Sequence, residues 1–390
     1  MNHSKHILPI IVFSQFCCTS LWFAGNAIMG DLVNTFNLGT SAMAHLTSAV
    51  QFGFIFGTFL FALLTITDRF SPSKVFLFSA IIAGVFNLGF VLKGHSLSSL
   101  VILRFLTGFF LAGIYPVGMK IASDYTEKGL GKSLGFLVGA LVLGTAFPHV
   151  LKANMDMFPW KWVIYTTSFL SVLGGLLMFF LVPNGPYRKS ARQLEISTLY
   201  KVFKLPKFRS AAFGYFGHMW ELYTFWAFVP IMLVTYTEMH PETHFNVPVL
   251  SFIIIAVGGL ACVVSGYVSQ IYNTKNVAAV VLGVSGLCCL VSPLFFALNS
   301  EYLFIGFLVF WGMVVIADSP LFSTLVAQNC SSEAKGTALT IVNSIGFAVT
   351  IISIQLIGFF MNVIAVKFLF MLLAIGPVFG LVGLYGSSKH

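Results

Sequence analysis

Residues 104–125 read RFLTGFFLAGIYPVGMKIASDY, a single arginine followed by a largely apolar run that contains glycines and Pro116 and turns polar at Lys120, Ser123 and Asp124. With the residues before it, this stretch forms a segment near 98–121. That is long enough to cross a hydrocarbon layer, which needs about 20 residues for roughly 30 Å. An arginine inside such a segment costs about 2.5–3.5 kcal/mol on insertion scales. An ionisable residue at this depth is a functional candidate, and Arg104 is the first of them.

Working outward, the same reading repeats along the chain. Segments near 7–30, 43–67, 73–92, 98–121, 132–153 and 160–182 precede a polar stretch. Segments near 210–236, 248–272, 277–298, 301–325, 336–360 and 364–386 follow it. Twelve transmembrane helices are predicted, an all-α integral membrane protein. Composition agrees: 58% of residues are hydrophobic and 8% charged, against about 25% charged in soluble domains. The 43 phenylalanines suit lipid-facing and interhelical surface. The short N-terminus, MNHSKH, runs into the first segment without the usual small-residue cleavage site, so that segment reads as a retained helix.

Cys17, Cys18, Cys262, Cys288 and Cys289 lie in apolar runs, and Cys330 completes the six. None has metal-ligand spacing, so neither a disulfide framework nor a metal site is expected. The net charge of +9 sits in short loops, where it speaks of topology and not of nucleic acid. Sixteen Lys/Arg fall on the side of the N-terminus and the central connection, and four on the other: Lys93, Lys152, Lys161 and Lys367. The rule that cytoplasmic loops carry the cations puts both termini in the cytoplasm, with the chain in a cell (inner) membrane. Trp160 and Trp162, flanking Lys161, read as interfacial anchors.

The connection 183–209 divides the chain into an N-terminal bundle, 1–182, and a C-terminal bundle, 210–390. It is basic and amphipathic, with Leu194, Leu199, Val202 and Phe203 available to one face. It reads as a tether along the anionic inner leaflet, or alternatively as a docking site for a soluble partner. The halves echo one another. LTITDRFSPSK (64–74) is matched by GYVSQIYNTK (266–275), and Tyr115–Pro116 by Ser319–Pro320, 204 residues later. Two pseudo-symmetric six-helix bundles follow, an arrangement suited to a transporter that rocks around a midplane site.

These features resemble the major facilitator superfamily over essentially the whole chain. TDRFSPSK is similar to that family's loop between helices two and three, GxLaDRxGRK. Asp68 and Arg69 match; Leu64 replaces the first glycine, and Lys74 lies one place beyond the last basic position. The resemblance implies a conformational latch built from Asp68, Arg69 and Lys74. The 104–125 stretch resembles the fourth-helix motif, in which an intramembrane arginine precedes small residues; Arg104, Gly108 and Gly113 take those places. The GPxxGG ending found in the fifth helix of drug/proton antiporters is absent from GFLVGALVLGTAFPH (135–149).

The remaining ionisable residues inside the apolar segments are His218 and Glu221 in helix seven and Asp318 in helix ten. Glu221 lies about 15 Å into its helix, near the midplane, with His218 one turn earlier on the same face. A carboxylate beside an imidazole is suited to taking up and releasing a proton; the alternative is a structural hydrogen bond or ion pair. Arg104 offers a bidentate clamp for a substrate carboxylate or phosphate, or a partner for a protein carboxylate or a neighbouring proton site. Asp318, beside Pro320, reads as a proton or cation site or part of a gate. Gln15, Trp22, Asn26, Gln51, Tyr115, Trp220, Tyr223, Trp226, Trp311 and Asn343 are cavity candidates, each with interhelical packing as its plain alternative.

A secondary transporter of a small polar, possibly anionic, solute is therefore expected, monomeric, proton-coupled and without cofactor. Export of amphipathic compounds by proton antiport is the second reading. An embedded enzyme or receptor is the third, and no nucleophile or phosphate-binding motif supports it.

Overall fold

The computed structural model describes residues 4–39, 41–125, 130–153, 159–187, 202–331 and 335–386. All regular structure among these residues is helical. The chain divides into two compact units, residues 1–194 and 195–390. Most of the basic connection, 188–201, lies outside the described residues.

In the first unit, the expected first span is three pieces: α1 (Ser4–Thr19), α2 (Ala24–Ala27) and α3 (Met29–Phe36). Side chains account for the break. Thr19 Oγ1 donates to Gln15 O at 2.8 Å and Ser20 Oγ to Cys17 O at 2.7 Å, local bonds that compete with the helical ladder. Then come α4 (Ala42–Leu63), α5 (Ile66–Arg69), α6 (Pro72–Leu88), α7 (Leu97–Leu111), α8 (Tyr115–Asp124), α9 (Leu130–Ala153) and α10 (Lys161–Leu181). The α4 helix stops short of the predicted 67 because Thr65 turns left-handed, with φ 51°. The α7 helix starts on a capping box between Ser96 and Ser99. It gives way to α8 where Pro116, lacking an N–H, cannot continue the ladder.

The second unit begins with α11 (Pro206–Met239) and continues through α12 (Val247–Ile271), α13 (Thr274–Ala297) and α14 (Glu301–Ala317). It finishes with α15 (Ser319–Gln328), α16 (Lys335–Phe360), α17 (Val366–Leu369) and α18 (Ile375–Gly386). The α11 helix starts four residues before the predicted 210, with Pro206 at its first turn, where a missing N–H costs nothing. Lys207 and Arg209 therefore belong to a helix and not to the linker. Its C-terminal end runs three residues past the predicted 236.

The two units pack alike. In the first, α4 lies against α7, α6 against α10, and α1 against α9 and α10. In the second, α12 lies against α14, α13 against α18, and α11 against α16 and α18. One close crossing in each unit coincides to the residue. A Cβ on Gly108 would stand 2.0 Å from Val50 O, and one on Gly312 would stand 2.1 Å from Ile254 O. Both members of the second pair lie 204 residues after those of the first. Only glycine lets backbones meet this closely, which is how helices gain contact where lipid offers no hydrophobic drive.

Among the described residues, ten helices are long and apolar enough to cross a membrane, five in each unit. The two further expected spans are the first of each unit. The α1 helix is interrupted, and α11 carries Lys207, Arg209, Glu221 and Glu238; the expected twelve is consistent with this count. Outward faces are apolar, with Phe180, Leu260 and Ile271 each at least two-thirds exposed. Such a surface requires lipid around it.

Candidate functional site

The polar interior of the second unit is built where α11, α13 and α14 pass one another. Glu221 is 1% exposed, and its Oε1 alone accepts three donors. They are Trp311 Nε1 from α14 at 2.6 Å, Ser285 Oγ from α13 at 2.6 Å, and Cys289 Sγ at 3.2 Å. Removing a carboxylate from water is expensive, and bonds of this kind offset the cost. Because Oε1 is the common acceptor, a proton taken up by Glu221 adds to the other oxygen, and all three bonds survive the change. Phe225 and Phe307 pack on the Trp311 ring at 4.7 and 5.5 Å between centroids and hold it in place.

One turn earlier on α11, His218 Nδ1 lies 2.8 Å from Asp318 Oδ1, both side chains 1% exposed. The contact has ion-pair distance without the alignment of a hydrogen bond, and His218 Nε2 and Asp318 Oδ2 have no partner among the described residues. Asp318 stands at the break between α14 and α15, where Pro320 frees backbone carbonyls. Two donors from α12 take them: Cys262 Sγ reaches Ile316 O at 3.4 Å and Ser265 Oγ reaches Ala317 O at 2.5 Å. The break is thus a fixed feature with a titratable pair attached.

Arg104 meets a different environment. Its guanidinium donates from Nη1 to Leu21 O at 3.0 Å and from Nη2 to Trp22 O. These carbonyls belong to the break between α1 and α2. The buried cation, 1% exposed, thus closes an interrupted helix, where positive charge also suits the end of the α1 dipole. No described carboxylate lies within ion-pair distance of it. Two of the three guanidinium nitrogens are thus engaged by backbone, while Nε has no hydrogen-bond partner among the described residues.

The other candidates are distributed. Gln15 and Gln51 are fully buried with amide groups that have no partner among the described residues. Asn26 donates to Thr47 Oγ1 at 2.8 Å, and Trp22 packs on Phe54 at 4.8 Å. Tyr115 begins α8, past the break, and so is not on one continuous face with Arg104. Trp220 donates to Leu372 O at 3.3 Å, a packing role within the unit. Tyr223 contacts both Trp226 and Phe347 at 5.2 Å, and Asn343 is half-buried on α16. Of the latch residues, Arg69 Nε bonds locally to Thr65 Oγ1 at 3.2 Å, and Lys74 is exposed. The Asp68 side chain lies outside the described features. Lys120 reaches this loop instead, 3.4 Å from Thr67 Oγ1.

Reasoning from sequence passed over Ser285 and Cys289, because a serine or cysteine in an apolar helix carries no distinguishing pattern. It also missed the Asp31–Lys152 ion pair, at 2.8 Å between α3 and the end of α9, and His149, buried with an unpartnered Nε2.

Comparison with known families closes the question of kinship. The Major Facilitator Superfamily profile matches residues 11–354. The chain belongs to the Major Facilitator Superfamily. Among its relatives in this superfamily is the MFS-type transporter cnsO of Penicillium expansum, 25% identical over 194 residues, 47% of this chain and 37% of that protein. The chain thus covers little more than a third of that relative's length. The bicyclomycin resistance protein homolog of Haemophilus influenzae is 21% identical over 338 residues, 82% of this chain and 80% of that one. Among solved structures, a bacterial homologue of the human lysosomal transporter Spinster, inward-facing and unoccupied, superposes with TM-score 0.72 at 13% identity. That match covers 100% of this chain and 96% of the other. The nucleoside transporter NupG, with a point substitution, gives 0.74 at 14%, covering 99% and 100%. These structures establish the superfamily fold. This superfamily member is a multi-pass membrane protein.

Proposed function

We propose that the protein couples transport of a small molecule to protons through Glu221, with the His218–Asp318 pair as a second protonation site. The observation that carries this reading is the convergence of Trp311, Ser285 and Cys289 on one oxygen of Glu221. A carboxylate so held can gain or lose a proton on its other oxygen while the helices around it keep their bonds. His218 and Asp318 supply an imidazole and a second acid one turn away. In this proposal both termini are cytoplasmic, the membrane is a cell (inner) membrane, and the two bundles, 1–182 and 210–390, alternate access as a monomer.

The test uses proteoliposomes with an imposed pH gradient. Glu221→Gln is expected to abolish gradient-driven accumulation while leaving substrate exchange largely intact. Identical pH dependence in variant and wild type would overturn the assignment.

A second reading, export of drug-like compounds by antiport, draws on one observation. The relative matched over 80% of its length carries the name of a bicyclomycin resistance protein homolog. The backbone bonds from two Arg104 nitrogens also favour a structural role for that residue over an anion clamp. Whether the pH gradient drives accumulation into or out of vesicles of defined orientation separates uptake from export.

A further inference from the structure

A second polar feature lies at the end of the second unit, away from Glu221. Where α11 and α13 begin and α15 and α18 finish, a cavity of about 780 Å³ opens. Lys207 and Lys275 line it, and no carboxylate is among its described lining residues. Asn273 Oδ1 already accepts from the backbone N–H groups of Lys275 and Asn276, at 2.9 and 3.4 Å. The start of α13 is therefore capped, and the formal positive charge among the lining residues comes from Lys207 and Lys275.

The walls are not those of a simple anion site. Leu205, Leu325 and Leu384 face the same space. Beside it, Lys275 Nζ lies 5.0 Å from the centre of the Tyr385 ring. Tyr272 and Tyr385 are both exposed at this end of the unit, 66% and 48%, as tyrosines are at the junction of lipid and water. From Tyr385 an exposed apolar ridge continues along α18 through Val382, Phe379 and Val378.

Two lysines lining one cavity, beside an exposed apolar ridge, match a molecule with an anionic head and a hydrocarbon tail. We propose that this cavity seats the phosphate headgroup of an anionic phospholipid, with an acyl chain lying along the α18 ridge. A free anion would engage the lysines and leave the ridge uncovered, whereas a zwitterionic lipid would cover the ridge and neutralise neither lysine. Basic pockets between spanning helices bind acidic headgroups by this chemistry. The inference is independent of the role of Glu221.

The test titrates purified full-length protein in neutral detergent with phosphatidylglycerol, phosphatidylcholine or inorganic phosphate, following thermal unfolding and lipid adducts by native mass spectrometry. Phosphatidylglycerol is expected to stabilise the protein, because a ligand that binds the folded state raises its apparent stability. The double variant Lys207→Gln/Lys275→Gln is expected to weaken that binding by about thirtyfold. Lys93→Gln/Lys367→Gln, made at other helix ends, should retain it. Equal stabilisation by phosphatidylcholine, full reproduction by inorganic phosphate, or unchanged binding in the Lys207/Lys275 variant would each overturn the proposal. If the double variant does not fold, the three wild-type titrations still decide.

Discussion

At the scale of single residues, the chemistry concentrates where charge and apolar surroundings conflict. Glu221, His218 and Asp318 were legible in the sequence for that reason, since nothing but function or pairing keeps such groups in a bilayer. Their partners were not. Ser285 and Cys289 become visible only when α13 is laid against α11, and the carbonyls that hold Arg104 become visible only when the break after Thr19 is known. Trp311→Phe keeps the ring and deletes one donor to a buried acid, a bond worth about 1.5–3 kcal/mol when one partner is charged. We expect it to lower thermal stability by that order and to alter the pH profile of transport, with the fold preserved by circular dichroism. Arg104→Lys replaces a planar fork by a point charge that cannot span two carbonyls. It should destabilise the first unit whether or not substrate is present. Loss of substrate affinity with unchanged stability would instead restore the clamp.

Among helices, close approach and controlled interruption are the recurring devices. The residues at two breaks, Tyr115–Pro116 and Ser319–Pro320, were legible in the repeat, although both segments were read as continuous spans and Pro148, Pro230 and Pro293 sit inside unbroken helices. The break in α1 was not legible, because side-chain bonds from Thr19 and Ser20 leave no such mark. At the glycine crossings, Gly108→Ala and Gly312→Ala each push a methyl group to about the position of a facing carbonyl. Overpacking of this kind costs about 1–3 kcal/mol, measurable as a lower unfolding temperature. Gly306→Ala, at an exposed position on α14 with open space around it, should be neutral or slightly stabilising. Removing both donors to the α14–α15 break, with Cys262→Ala and Ser265→Ala, should cost about 1–3 kcal/mol and appear in the same assay.

For the whole molecule, the proline pair of the sequence repeat and the glycine crossings of the structure share one spacing. Trp22 and Trp226 stand 204 residues apart, like the two glycine crossings and the two proline breaks. Yet the acids did not duplicate: the position matching Glu221 is Cys17, and that matching Asp318 is Ile114. Among the described residues, the first unit buries Arg104 and, at the end of α8, Asp124, while the second buries Glu221 and Asp318, so the chemistry diverged on a retained scaffold. The cation count further predicts sidedness. A cysteine placed at Gly94, in the loop after α6, should react with an impermeant thiol reagent from outside intact cells, and one at Gly386 should not; background labelling would be set by a variant lacking native cysteines. The opposite pattern would invert the proposed topology.

The crowding of three donors on Glu221 Oε1 has a spectroscopic consequence. When the acid is protonated, that oxygen is its carbonyl oxygen, and its stretching vibration should be softened well below that of an unbonded carboxylic acid. Infrared difference spectra between high and low pH should therefore show a low-frequency carbonyl band, separate from that of any other acid, that vanishes in Glu221→Gln. In Ser285→Ala the same band should move to higher frequency, turning the local bonding of one oxygen into an observable colour of the transport cycle.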